Sequence, residues 1–123
     1  MGNRGFTLTE LAIVCAIVGL LAILAIPNYS LFKRNAVNVT AESDARNIVA
    51  AAELVASQGG LSATVVLDGS GGPISGLPGA TTSTGTLGFV TVEPNHYFIE
   101  TQQGQGNVRY QYDSDIGRTV LNE

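Results

Sequence analysis

Few side chains in this sequence have the means for chemistry, and they are scattered. His96 is the only histidine and Cys15 the only cysteine. His96 stands in a strand-like run with no cysteine near it and no ligand spacing. Zinc needs three or four protein ligands, so His96 reads as a surface or packed strand residue. Cys15 lies inside an apolar run, where a free thiol behaves as a small hydrophobe, and one cysteine cannot form an intramolecular disulfide. Asp113 and Asp115 place two carboxylates two residues apart. They are the beginning of a calcium site or two solvated turn acids, and calcium takes about six to eight oxygens, of which two are in hand. No nucleophile, base and orienting acid assemble around His96. The glycines between Gly69 and Gly79 lack the lysine and the strand-to-helix setting of a phosphate loop. The acid in the most unusual setting is Glu10, at the head of a long apolar run, where a lone carboxylate is costly unless a cation relieves it.

The elements that would position these groups divide the chain. Residues 1–5 are a short polar leader carrying Arg4, and Leu11 to Pro27 carry no charge. A helix from Phe6 to Ile26 spans about 31 Å at roughly 1.5 Å per residue, enough to cross the hydrocarbon core. An ordinary secretory signal fits poorly, because Ala22 and Ala25 are three apart where its peptidase needs small residues two apart. Arg4 and the Lys33-Arg34 pair flank the run on opposite sides, so charge alone leaves the orientation open.

Residues 28–60 continue as an amphipathic helix. Ala41, Ala45, Ile48, Ala52 and Val55 follow alternating steps of four and three on one face, while Glu42, Asp44, Arg46 and Glu53 fall off it. Gly59-Gly60 supplies a stop, which predicts one helix from about Phe6 to about Ser57, bent or loosened near Pro27. From residue 61 to 123 the pattern is β-rich. Strand-like runs occupy Leu61 to Leu67, Leu87 to Val92, His96 to Gln102, Asn107 to Asp113 and Arg118 to Leu121. Turns at Glu93-Pro94-Asn95, Gly104-Gln105-Gly106 and Asp115-Ile116-Gly117 join the later ones into a meander. Residues 68–86, almost all Gly, Ser, Thr, Pro and Ala, read as a long surface loop. The fold expected is α+β, a long N-terminal helix packed on a small antiparallel sheet.

The net charge is −4, and after residue 60 only Arg109 and Arg118 are basic. That balance excludes a DNA-backbone surface on this chain alone. Tyr29, Phe32, Tyr97, Phe98, Tyr110 and Tyr112 are read as packing residues rather than a stacking surface or electron path.

Gly5-Phe6-Thr7-Leu8-Thr9-Glu10, followed by the apolar run and Pro27, resembles the start of type IV pilins, of the type IVa kind, and of the related pseudopilins of type II secretion. The resemblance covers roughly the first third of the chain. It implies cleavage between Gly5 and Phe6 by a prepilin peptidase on the cytoplasmic side and methylation of the new Phe6 amine. It also implies residence in the inner membrane before assembly, then a helical homopolymer at the cell surface built by inner-membrane assembly machinery. Glu10 matches an acid that docks a subunit by pairing with a neighbour's N-terminal amine, the alternative being an interfacial carboxylate at the membrane edge. Gly19 and Pro27 match the bounds of a segment that loosens in such filaments, the alternative being a kinked membrane helix.

Thr9 departs from the bulky aliphatic more usual there, and many pilins have a C-terminal disulfide loop that a single cysteine cannot make. In major pseudopilins a calcium ion can stabilise a C-terminal loop, which is what brings Asp113 and Asp115 forward. The reading is a structural filament subunit, not an enzyme, with no cofactor. The alternatives are a pseudopilin of a type II secretion system or a membrane-anchored minor pilin that presents a binding tip.

Overall fold

The computed structural model describes residue 2 and residues 4–122. A single helix, α1, runs Leu8–Ser57. The chain divides into two units, Met1–Lys33 and Arg34–Glu123, with the division beyond Pro27.

In the first unit the helix starts at Leu8 rather than Phe6 because Thr7 caps it. Glu10 N–H donates to Thr7 Oγ1 at 3.2 Å, and Thr7 N–H donates back to Glu10 Oε2 at 2.8 Å. This reciprocal capping box satisfies two backbone donors at the helix start. The helix is continuous across Gly19 and Pro27, so the loosening expected there is not a feature of the single chain. Pro27 has no N–H for the carbonyl four residues earlier. Side chains bond neighbouring carbonyls instead: Asn28 Nδ2 donates to Leu24 O at 3.0 Å, and Ser30 Oγ donates to Pro27 O at 2.9 Å. Every residue from 4 to 36 is exposed.

In the second unit the helix buries Asn38, Ala41, Asp44, Ala45, Ile48, Ala51, Ala52, Val55 and Ala56. The stripe read from the sequence is thus the buried face, and its alanines let the sheet approach closely. The helix ends where Gly60 N–H returns to Val55 O at 2.9 Å and Asn95 N–H reaches Ala56 O at 3.2 Å. Gly60 has φ +77, and a Cβ there would lie 2.6 Å from the Glu93 carbonyl carbon, so no other residue fits.

The strands are β1 (Val65–Asp68), β2 (Gly72–Pro73), β3 (Thr81–Thr82), β4 (Thr86–Glu93), β5 (His96–Gln103), β6 (Val108–Asp113) and β7 (Gly117–Asn122). Five of them form an antiparallel sheet in the order β1-β4-β5-β6-β7, and β2 pairs with β3. The expected meander is therefore β4 to β7, while β1 is shorter than the run from Leu61 suggests. Alternation gives the sheet one covered face, with Val90, Val92, Tyr97, Ile99 and Tyr110 buried. Tyr97 and Tyr112 stack on that face, centroids 5.7 Å apart, and Phe89 and Phe98 stack at 5.5 Å on the other. Tyr29 and Phe32, by contrast, are exposed, so the packing read for the aromatics does not extend to them within the chain.

The surface-loop reading of residues 68–86 is corrected. Ile74, Leu77 and Ala80 are buried and belong to the main core cluster. Ile74 N–H donates to Ala80 O, Leu77 N–H to Ile74 O and Ala80 N–H to Leu77 O, at 3.0, 3.2 and 3.1 Å. These turns aim three sparse apolar side chains inward, so composition misleads.

The helix also holds this segment through polar groups. Asp44 accepts from Ser83 N–H at 2.9 Å, from Ser83 Oγ at 3.1 Å and from the Thr86 hydroxyl. Asn47 Oδ1 accepts from Thr81 N–H at 2.9 Å. Farther along, Asn38 Oδ1 accepts from Asn107 N–H at 3.2 Å, and Thr101 Oγ1 donates to Ala41 O at 2.9 Å.

Candidate functional site

Two places gather the residues that the sequence marks out. The first is the N-terminal segment. Gly5 and Phe6 lie before the first helical turn, without regular structure, and Phe6 is 84% exposed. The peptide bond between them is thus outside the helical hydrogen-bond ladder, a setting open to a peptidase. Glu10, in the first turn of the helix, is exposed and carries the capping box through a single oxygen. Oε2 takes both Thr7 N–H and, at 2.9 Å, the Thr7 hydroxyl. The hydrogen bonds to Glu10 among the described residues all fall on Oε2, which leaves Oε1 to accept from a cation. Beyond it the helix is long and apolar enough to cross a membrane by length and composition. Leu11, Ile13, Val14, Ile17, Val18, Leu20, Leu21, Ile23, Leu24 and Ile26 are all exposed. A Cβ added at Gly19 would meet nothing within 4 Å, so no packing inside the chain demands a glycine there. Cys15 is exposed on the same stretch.

A family model described as the prokaryotic N-terminal methylation motif matches residues 1–26. This chain carries that motif. Among curated proteins, the type IV major pilin protein PilA of Myxococcus xanthus (strain DK1622) is 64% identical over 31 residues. The matched stretch is 25% of this chain and 14% of that protein. No solved structure matches the chain. The similarity therefore rests on the N-terminal segment, where the methylation motif, the exposed apolar helix and the Thr7–Glu10 box coincide.

The second place is one end of the sheet, where β5 begins and the β6–β7 turn closes. The β5–β6 register sets Phe98 opposite Asp113, which brings His96 beside the two aspartates. His96 Nε2 lies 3.3 Å from Asp113 Oδ1 and 3.8 Å from Asp115 Oδ2. His96 is a half-buried strand residue, as its sequence setting suggests, and the register adds two acidic neighbours that spacing along the chain does not reveal, because the strands pair across a turn. Asp113 Oδ1 also accepts from Asp115 N–H at 2.8 Å. That bond and the adjacent imidazole hold the Asp113 carboxyl below its usual range.

Elsewhere the charged groups are structural. Glu42 Oε1 meets Arg46 Nη2 and Arg118 Nη1, each at 2.7 Å, and these guanidinium groups lower the Glu42 pKa. Arg118 lies 5.3 Å from the Tyr110 ring centroid, so Glu42 and Tyr110 together secure β7. A groove of about 140 Å³ lined by Ala45, Val49, Tyr110 and Tyr112 lies beneath this pair. Burial pushes the Tyr97 phenol up to about 12, with Tyr112 beside it adding to the effect. Glu100 accepts from Gln111 Nε2 at 2.6 Å and lies 3.6 Å from Arg109 Nε.

Proposed function

We propose that this chain is a pilin-like structural subunit that is processed at its N-terminus, held in the inner membrane by its helix, and polymerised into a surface filament through that helix. A prepilin peptidase cuts between Gly5 and Phe6, and the Phe6 amine is methylated. The observation that carries the reading is the uninterrupted exposure of residues 8–36 of α1, a stretch bearing one acid, Glu10, at the head of its apolar half. Such a surface has no partner in the chain and needs lipid first and other helices later.

In a filament the apolar helices bundle along the axis. Little hydrophobic free energy is gained in leaving lipid for protein, so close packing and charge relief hold the core. Glu10 supplies the relief: its Oε1 accepts from the Phe6 amine of a neighbour while Oε2 keeps its bonds to Thr7. Gly19, unconstrained inside the chain, serves close helix approach or, with Pro27, a segment that gives up helical bonds on assembly. Residues 61–123 coat the outside. Head-to-tail contacts of this kind do not close on themselves, and their natural product is a fibre. The assembly machinery of the inner membrane, the peptidase and other copies of the chain are the partners this requires.

The test is intact mass and negative-stain microscopy of material sheared from cells. Protein beginning at methylated Phe6 within thin fibres is the expected result. Processed protein confined to membranes, with no fibres, would point instead to a pseudopilin or an accessory subunit. Protein starting at Met1 in all fractions would sink the processing step.

A further inference from the structure

The end of the sheet where β5 starts holds more than an ion pair. Three donors converge there, one from each of His96, Asp113 and Asp115, and the ligand atoms all lie within 4.8 Å of one another. The backbone beneath them is already fixed: Ser114 N–H donates to Tyr97 O at 3.0 Å, and Tyr97 N–H donates to Ser114 Oγ at 3.1 Å. The Asp115 N–H bond to Asp113 sets the turn. Asp115 is 74% exposed on its side chain and His96 and Asp113 are partly so, which leaves them free to close around an ion by rotamer adjustment.

One carboxylate suffices to pair with an imidazole. The turn presents a second to the same nitrogen, and Glu93, opposite His96 in the β4–β5 register, adds a further exposed acid. Calcium does not fit this set, since two carboxylates and a nitrogen fall well short of its oxygen shell. A neutral imidazole with two carboxylates does fit a borderline divalent ion, in donor type and in charge.

We propose that His96, Asp113 and Asp115 form a binding site for a zinc-like divalent transition metal, with water completing the coordination shell. Bound there, the ion ties the start of β5 to the β6–β7 turn and stiffens the hairpin that ends in the edge strand β7. The site is independent of filament assembly and stands or falls separately from it.

The experiment is a zinc titration of the untagged full chain in detergent micelles, followed by NMR of the imidazole ring protons. With one histidine in the chain, that signal has a single source. Saturating shifts at one equivalent of zinc are expected. Equilibrium dialysis should show His96→Gln and Asp113→Asn each weakening uptake by about tenfold or more. Asp68→Asn, at an exposed carboxylate elsewhere, should leave uptake unchanged, as should millimolar calcium. Ring protons that ignore zinc, uptake that survives His96→Gln, or displacement of zinc by calcium would each overturn the assignment. The ring-proton result needs no variant, so a variant that fails to fold does not shield the idea.

Discussion

Asp44 is the side chain whose loss should be felt most per atom removed. It is a carboxylate on the buried face of α1, and it meets three donors from residues 83–86. Thr86 is 1% exposed, so burial denies its hydroxyl a ready water partner once Asp44 is gone; the hydroxyl also accepts from Gln103 Nε2 at 2.8 Å, so a small network depends on the contact. A hydrogen bond to a charged group is worth about 1.5–3 kcal/mol. The two Ser83 bonds are half-buried, and water can replace them in part, leaving about 0.5–1 kcal/mol for the pair. Asp44→Ala should therefore destabilise the second unit by about 2–4 kcal/mol, a large share of the ~5–15 kcal/mol typical of a domain. Asp44→Asn keeps one acceptor but turns an amide donor toward other donors, and should fall between Asp44→Ala and wild type. Asn47→Ala removes one more exposed bond, to Thr81 N–H, and should cost about 1 kcal/mol or less.

Denaturant unfolding of the full chain in micelles, followed by tyrosine near-UV circular dichroism, measures the series. Limited proteolysis should show residues 68–86 opening first in Asp44→Ala. Equal stability of Asp44→Ala and wild type to within about 0.5 kcal/mol would mean that water or a rearranged loop satisfies Thr86, and the argument from burial would fail.

Three further outcomes are expected. The Glu42 carboxyl is held below the usual carboxylate range chiefly by Arg46, with Arg118 contributing, so its stabilisation is present above the ordinary glutamate pKa and lost as pH falls through the depressed folded pKa. Glu42→Gln should remove that component of acid sensitivity, and an acid unfolding curve unchanged from wild type would refute it. Gly88 sits at φ +144, and a Cβ there would overlap the Glu100 carbonyl oxygen, so Gly88→Ala must part β4 from β5 and should cost more than about 2 kcal/mol in the same denaturant assay. Glu10→Gln keeps a side chain able to complete the capping box but removes the charge. It should preserve helix content by circular dichroism while abolishing sheared fibres, and normal fibres from Glu10→Gln would show that charge pairing is not what Glu10 supplies.

What the sequence makes legible follows physical periodicity. The stripe from Ala41 to Val55 is readable because helical spacing repeats over several turns, and β4 to β7 are readable because turn residues punctuate them. Residues 68–86 are not, since only Ile74, Leu77 and Ala80 carry their burial and composition outweighs three residues. Their even spacing is a signal that could have been found. Thr7-Leu8-Thr9-Glu10 has the spacing of a capping box, visible in the sequence once the charge of Glu10 is set aside. The convergence of His96 with Asp113 and Asp115 depends on strand register. Register is fixed by which faces are buried once the chain has folded, and a strand-like run read singly does not reveal it.

The two halves of α1 answer to different surroundings, and this decides what mutations in each can do. From Asn38 onward the helix has a buried face: Ala41 and Ala45 cluster with Tyr110, and Ile48 to Ala56 with Leu67, Leu77, Val90 and Ile99, so changes there act on folding. From Leu8 to Ala36 every side chain is exposed. Ile17 is exposed and a Cβ at Gly19 meets nothing within 4 Å, so Ile17→Ala or Gly19→Ala should leave the unfolding midpoint of the second unit in place. Under the proposed function, the effect of either falls on membrane residence or on the packing of one helix against others. On that same proposal, such a chain folds its sheet while the apolar half of α1 is still in lipid, and assembly then asks for no refolding of the sheet, only a change of neighbours for residues 6–36.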